Sequence, residues 1–256
     1  MSKPEYNQGL TTSSSMQEKI KEVTRNLLIA HGYHKTTFGV IAKALKITTT
    51  NIHYHFGNKN HLVEIVVREY VAEAKKNHSI IWLDTTTTLE QKVAQVVAYN
   101  YRLYRKYTPD DKGRHPWSLI GRLRLESDVL SEAACRSLAS FTQTMQDVIS
   151  QAVEYAWQQG QLKVDTPRQD LVFLLTNLVD NSSVFAQDAG SFARLEQFFT
   201  AFSRVVLSPS TLLSRQRAAT TKRNLLPQGP HGHWRDYPPA AGAMRLLPSP
   251  SALPGP

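Results

Sequence analysis

Residues Thr36 to Leu62 hold two short helical patterns separated by a tight break, and this segment constrains the chain more than any other. Phe38, Ile41, Ala42 and Leu45 fall at i, i+3, i+4 and i+7, one apolar stripe on a helix that Thr36 or Thr37 caps. The pattern breaks at Lys46-Ile47. Thr48 can cap a second helix, in which Ile52 and Phe56 lie one turn apart and face inward. On the same wheel Thr50 and Tyr54 point away from the core, with Asn51 and His53 on the flanks. A small polar face on a short helix, braced by another short helix, is the layout of a helix-turn-helix reading head.

The charge is distributed as that layout requires. The chain of 256 residues carries a formal charge of +9. Residues 17–76 hold ten Lys and Arg against five Glu, residues 77–207 hold 13 against 14 acids, and residues 208–256 hold six against one. A basic head on a neutral body suits a protein that meets DNA with one end. The length allows one or two domains and a sizeable core. The single cysteine, Cys135, excludes an intrachain disulfide and suits a reducing cytosol. No apolar run reaches the roughly 18 residues of a membrane span, and the polar N-terminus lacks the apolar core of a secretion signal; the expected location is the cytoplasm, without membrane partners.

Four regions separate along the chain. Residues 1–15 read as a polar, disordered arm, 16–60 as the head, 61–207 as a helical body, and 208–256 as a basic disordered tail with nine of the 13 prolines. In the body, Leu62, Ile65, Val66 and Tyr70 mark a connecting helix. Thr87-x-x-Glu90 reads as a capping box for a helix with Leu89, Val93, Val96, Val97 and Tyr104 inward, and Pro116 as the start of a short helix through Leu123. A long helix from Ala134 to Tyr155 has Gly160 as its stop, and two more run over about 168–188 and 191–207. No β-period run of useful length and no internal repeat appears. The expected fold is all-α: an N-terminal three-helix domain and a C-terminal helical domain. In the last two helices Leu174, Leu178, Leu195, Phe199 and Phe202 belong to apolar bands covering more than one face. Such helices are buried on two sides, and a second copy of the chain can supply the second side; enclosure within the monomer is the alternative.

The segment resembles the N-terminal domain of the TetR (tetracycline-repressor) family. That family's pattern is Thr-Thr, Ile-Ala, a Gly-Val turn, a Ser/Thr cap, an aromatic-aromatic-His-Phe run and a Lys. Here Thr36-Thr37, Ile41-Ala42, Ile47, Thr48, Tyr54-His55-Phe56, Lys59 and Leu62 follow it in order and spacing. The preceding helix also fits, with Ile20, Val23, Leu27 and Ala30 on one face and His31-Gly32-Tyr33 as its stop. The likeness covers roughly residues 16–66, about a fifth of the chain. Two positions depart: Lys46 stands where Gly is usual, a place that favours Gly for its positive φ, and His53 stands first in the aromatic pair, which bears on base preference.

The resemblance implies a non-enzymatic, DNA-binding transcriptional regulator, a repressor that a small molecule releases from its operator. It places base contacts on Thr49, Thr50, Asn51 and His53, and phosphate contacts on Thr37, Thr48, Tyr54, His55 and Lys59. Chemistry agrees in part: Asn51 can pair bidentately with adenine, Thr50 can touch a thymine methyl, and a helix N-terminus favours phosphate. Caps alone at Thr37 and Thr48, a hydrogen-bonded shoulder residue at His55, and a surface charge at Lys59 are the alternatives. The resemblance further implies a homodimer on a palindromic double-stranded operator, joined through a four-helix bundle of the two C-terminal helices. It implies an effector pocket within each body, for which Tyr99, Tyr101, Tyr104, Trp117 and Trp157 are the aromatic candidates. The implied mechanism is an equilibrium between two spacings of the heads, reached through the 61–76 helix. An activator, a ligand-free nucleoid-type protein and a helical interaction module are the competing functions.

Other chemistries have little support. His53-x-His55 puts two imidazoles about 200° apart on a helix, unable to grip one metal, and His231-x-His233 lies in the tail. Gly-rich phosphate loops, Gly-x-Ser-x-Gly and Cys-x-x-Cys are absent, and Asp110-Asp111 reads as a loop. No metal or cofactor is expected. Cys135 reads as a small buried hydrophobe, with an oxidation sensor as the alternative.

Overall fold

The computed structural model describes residues 6–108, 116–189 and 192–207, with side chains from residue 15 to 185 and from 192 onward within those stretches. Among the described residues every regular element is helical. They are α1 (Tyr6–Lys35), α2 (Phe38–Leu45), α3 (Thr49–Phe56), α4 (Lys59–Trp82), α5 (Leu89–Tyr107), α6 (Leu119–Arg124), α7 (Glu132–Gln158), α8 (Arg168–Ala189) and α9 (Ala193–Phe202). A 3₁₀ turn covers Ser127–Val129 and a π turn Ser203–Leu207. None of these helices is long and apolar enough to cross a membrane.

The chain divides into two compact units. The first holds the described residues through Ala72 together with 116–139; the second holds 73–108 and 140–207. The head is therefore larger than residues 16–60, and it recruits a segment from the middle of the sequence. In the first unit α1 packs on α2 and α6, and α2 on α3. Its core contains Ile20, Leu28, Ile41, Ile52, Leu62, Leu119 and Leu123, all fully buried. In the second unit α5 is the inner helix, and it packs on α8 and α9. Burial of Val93, Ala94, Val96, Val97, Ala98 and Tyr99 shows that α5 is enclosed over more than one stripe.

Local chemistry sets the boundaries, with some departures from expectation. α1 opens at Tyr6, so ten residues assigned to a disordered arm continue the helix; no proline lies between Tyr6 and Lys35 to stop it. Residues 1–5 and the tail at 208–256 lie outside the described residues, as does Asp110-Asp111. The capping box of α5 lies one residue later than expected: Thr88 accepts from the Gln91 amide at 3.2 Å, and Gln91 Oε1 accepts from the Thr88 amide at 2.8 Å. Thr88-x-x-Gln91 satisfies the box as well as Thr87-x-x-Glu90 does, and it leaves Thr87 Oγ1 to accept from Lys92 Nζ at 3.2 Å. The α6 cap is Ser118 rather than Pro116, because its hydroxyl accepts from the Gly121 amide.

One buried cation closes the end of α4. Lys92, 2 % exposed, sends its ammonium to the Ile81 carbonyl at 3.3 Å and to the Asp84 carbonyl, at the end of α4. Burial holds its pKa below the usual lysine value, against the opposing pull of Asp84. Bonding to the last carbonyls of a helix is what a cation does well there.

Candidate nucleic-acid interface

Both short helices of the head begin on a threonine. Thr37 Oγ1 accepts from the Val40 amide at 3.3 Å and Thr48 Oγ1 from the Asn51 amide at 3.2 Å. The turn between the helices closes at Lys46, whose φ of 55° is the one positive value at a non-glycine position among the described residues. The Ile47 amide returns to the Ala42 carbonyl at 3.0 Å and the Lys46 amide to the Lys43 carbonyl at 3.3 Å. That bond pair needs a left-handed residue, so Lys46 adopts the conformation for which glycine is usual. Helix α3 is then pinned from below by Ile52, 0 % exposed, and Phe56, 5 % exposed.

The outward face of α3 carries most of the expected base readers. Thr49, Thr50 and His53 are exposed, and Tyr54 stands 83 % exposed. His53 is held in place. Its Nδ1 lies 2.8 Å from the Gly57 carbonyl oxygen, and its ring meets Phe38 edge to face at 4.7 Å. A carbonyl only accepts, so Nδ1 carries a proton and donates it to Gly57. Asn51 differs: it is half-buried, with its Oδ1 shielded and without a hydrogen-bond partner. In this rotamer it does not offer the donor–acceptor pair that adenine requires.

The expected phosphate contacts divide in the same way. Thr37, Thr48 and Tyr54 are exposed. His55 is half-buried and lies 3.5 Å from Gln17 Nε2 through its Nδ1. Lys59 is held within the head. Its ammonium donates to the Tyr33 carbonyl at 2.6 Å and stands 3.7 Å from the centre of the Tyr33 ring. Burial lowers its pKa, which the nearby Glu126 carboxylate partly restores. Sequence reasoning missed Phe38 as the support for His53; a one-turn helix wheel treats Phe38 as core only, although it is half-buried.

Residues 20–66 match the sequence model of the bacterial regulatory proteins of the tetR family. Residues 20–66 are a tetR-family domain. Solved structures extend the likeness over the fold. A TetR-family transcriptional regulator from Agrobacterium tumefaciens is 19 % identical, with a TM-score of 0.67 over 77 % of this chain and 100 % of that one. A Saccharomonospora viridis protein solved in complex with choline is 20 % identical, with a TM-score of 0.61 over 76 % and 98 %. The regulator FadR of Bacillus subtilis, solved with stearoyl-CoA, is 14 % identical, with a TM-score of 0.53 over 76 % and 97 %. No curated protein sequence matches the chain. The described residues thus share the all-α fold of TetR-family transcriptional regulators, with the matched domain at the N-terminal end.

In this TetR-type fold the body residues singled out by sequence fall in different places. Leu195 and Phe199 are 0 % and 1 % exposed within the single chain, and Leu178 is 4 % exposed. Leu195 and Phe199 face their own core, and Leu178 borders the groove on the uncovered face. Leu174 is 45 % exposed, and Phe202 is half-buried. The uncovered apolar face of α8 and α9 also shows Phe173, Phe198 and Phe185, the last of which the apolar periodicity of the sequence did not single out. Phe185 and Phe198 stack with centroids 4.8 Å apart. A groove of about 520 Å³ runs along this face, lined by Leu174, Asn177, Leu178, Asn181, Phe198 and Phe202 among others. Both asparagine amides are already donated to carbonyls one turn back, at 2.8 and 2.9 Å.

The five aromatic pocket candidates do not gather at one point. Tyr101 and Tyr104 meet on Phe192, at 5.2 and 5.4 Å. Tyr99 packs edge to face on the fully buried His78 at 5.1 Å. Trp157 is half-buried beneath the Arg168 guanidinium, 4.1 Å from its ring centre, which Glu154 pairs at 3.2 Å. Trp117 is buried in the first unit. Cys135 is half-buried, with its thiol on the Ser127 carbonyl at 3.5 Å. No cluster of three metal-ligating side chains occurs among the described residues.

Proposed function

We propose that the protein is a homodimeric, ligand-responsive transcriptional repressor, acting in the cytoplasm on a palindromic double-stranded operator that a small molecule makes it release. The observation that carries this reading is the face of α3. Thr49, Thr50, His53 and Tyr54 are all exposed on a helix whose other side is fixed by two buried residues. Such a helix enters a major groove with its polar side chains against base edges.

Dimerisation has its support in the second unit. The apolar face of α8 and α9 is larger than isolated exposed residues would make, and uncovered patches of this kind mark interaction surfaces. Asn177 and Asn181 each already donate one amide N–H to a carbonyl one turn back, so covering the face leaves fewer polar groups stranded. Effector binding has support by analogy only: two similar folds were solved with choline and with stearoyl-CoA.

Selection of duplexes from a randomised pool tests the reading. A dyad-symmetric consensus bound with a steep salt dependence is the expected result, since phosphate neutralisation releases counterions. Recovery of no consensus would refute sequence-specific regulation. A thermal-shift screen of metabolites, followed by operator release with any hit, tests the effector.

A further inference from the structure

One residue of the head lies far from it in sequence. Gly32 ends the regular part of α1 with φ 77° and ψ −177°, a conformation open essentially to glycine alone. The space where its Cβ would stand is already filled: a Cβ there would lie 2.6 Å from Arg122 Nη2 and 2.7 Å from Glu126 Oε2. Glu126 uses that access to accept from the Tyr33 amide at 2.5 Å, while Arg122 pairs the same carboxylate at 2.9 Å. Tyr33 is gripped on every polar side. Its carbonyl accepts from Lys59, its ring lies under the Lys59 ammonium, and its hydroxyl donates to Asn60.

Tyr33 stands just before α2, and Lys59 and Asn60 just after α3. The helix-turn-helix is therefore a loop whose two ends are tied at a single residue. Thr36 tightens the near end, with its hydroxyl on the Gly32 carbonyl at 2.7 Å and its amide on the Tyr33 carbonyl at 3.2 Å. Glu126 completes the knot from the segment after α6, and it also supports the charge on half-buried Lys59.

We propose that Glu126 is a positioning residue for operator recognition, holding the Tyr33 peptide so that α2 and α3 leave the knot in their reading orientation. It touches no base or phosphate, and it acts through its hydrogen bond to the Tyr33 amide. This rests on the DNA-binding reading above, and the test keeps the two apart.

The probe is a duplex recovered by the unaltered protein from a randomised pool; failure to recover one would count against DNA reading itself. Against that duplex, Glu126→Met, which keeps the aliphatic bulk and removes the acceptor, is expected to bind at least about tenfold more weakly. Glu126→Gln, which keeps an acceptor for Tyr33, is expected to stay within about threefold of the unaltered protein. Binding to an unrelated duplex at low salt should not fall in either, because both substitutions remove a negative charge. Hydrogen exchange at the Tyr33 amide should quicken in the Met variant and stay slow in the Gln variant. Equal specific affinity in all three proteins would overturn the proposal, and so would equal losses in the Met and Gln variants. A Met variant that melts below every usable temperature while the Gln variant binds normally would make Glu126 a stability residue, and would overturn it too.

Discussion

The ammonium of Lys59 and the main-chain carbonyl of Tyr33 lie 2.6 Å apart, joining the start of α4 to the end of α1. This contact changes what removal of the lysine should do. A charge-assisted hydrogen bond contributes roughly 1.5–3 kcal/mol, and the partial exposure of this one brings it to the lower end. Lys59→Ala should therefore destabilise the protein by about 1–2 kcal/mol in denaturant unfolding. A lysine free to bind phosphate would instead leave stability alone and lower the salt slope of DNA binding by about one. The two outcomes exclude each other, and unfolding curves with salt titrations distinguish them.

Lys46→Gly should stabilise the chain. A side chain in the left-handed region costs about 1–2 kcal/mol, and the greater freedom of an unfolded glycine returns part of it. A net gain of about 0.5–1 kcal/mol is expected, seen as a melting temperature a few degrees higher. A fall in melting temperature would mean that the Lys46 side chain makes a contribution its backbone conformation conceals.

His78 makes stability depend on acid. Burial lowers its pKa from 6.5 to about 4, and its ring faces Tyr99 and Phe141, neither of which titrates in that window. The unfolded chain binds the proton first, so the stabilising contribution is full above pH 6.5 and is lost as pH falls through about 4. Between pH 7 and pH 5 this one group should remove about 2 kcal/mol. Urea unfolding of the parent and of His78→Phe at both values checks it: the drop should be smaller in the variant by about that amount.

The apolar face of α8 and α9 gives a prediction with an internal control. Phe198→Glu together with Leu174→Glu places charges at positions 38 % and 45 % exposed in the single chain, so folding should survive while association is lost. Phe199→Glu, at 1 % exposure, should unfold the protein instead. Sedimentation and circular dichroism of the two variants decide it. A double variant that remains dimeric would move the interface elsewhere.

His53→Ala and Asn51→Ala should differ in DNA selectivity. His53 is an exposed ring held in place by Gly57 and Phe38, so its loss should relax one base-pair position by about 1–3 kcal/mol. Asn51, with Oδ1 turned from solvent, should affect selectivity less unless its rotamer changes on DNA. Binding to a panel of single-substituted operators measures both.

What sequence could show, and what it could not, follows the range of each interaction. Thr37 and Thr48 were legible as alternatives because a cap bonds three residues ahead. The strain at Lys46 was legible because the left-handed position is fixed by the turn. The Lys59 and Glu126 contacts with Tyr33 span 26 and 93 residues, and no local pattern carries them. The apolar bands of α8 and α9 are visible in the periodicity of the sequence. Their division into an inward set, Leu195 and Phe199, and an uncovered set, Leu174 and Phe198, depends on how α5 packs, which periodicity does not encode.

Helix α3 has eight residues, well short of the roughly 12–15 that an isolated helix needs to persist in water. Its shape is on loan from Ile52 and Phe56 and from the threonine at its start. Errors in base choice can therefore arise without any change to a base-reading side chain. Trimming Phe56 to a smaller residue would blur the operator preference from inside the core, and such a variant would look like a regulator with altered targets while being one with a softened hydrophobic floor.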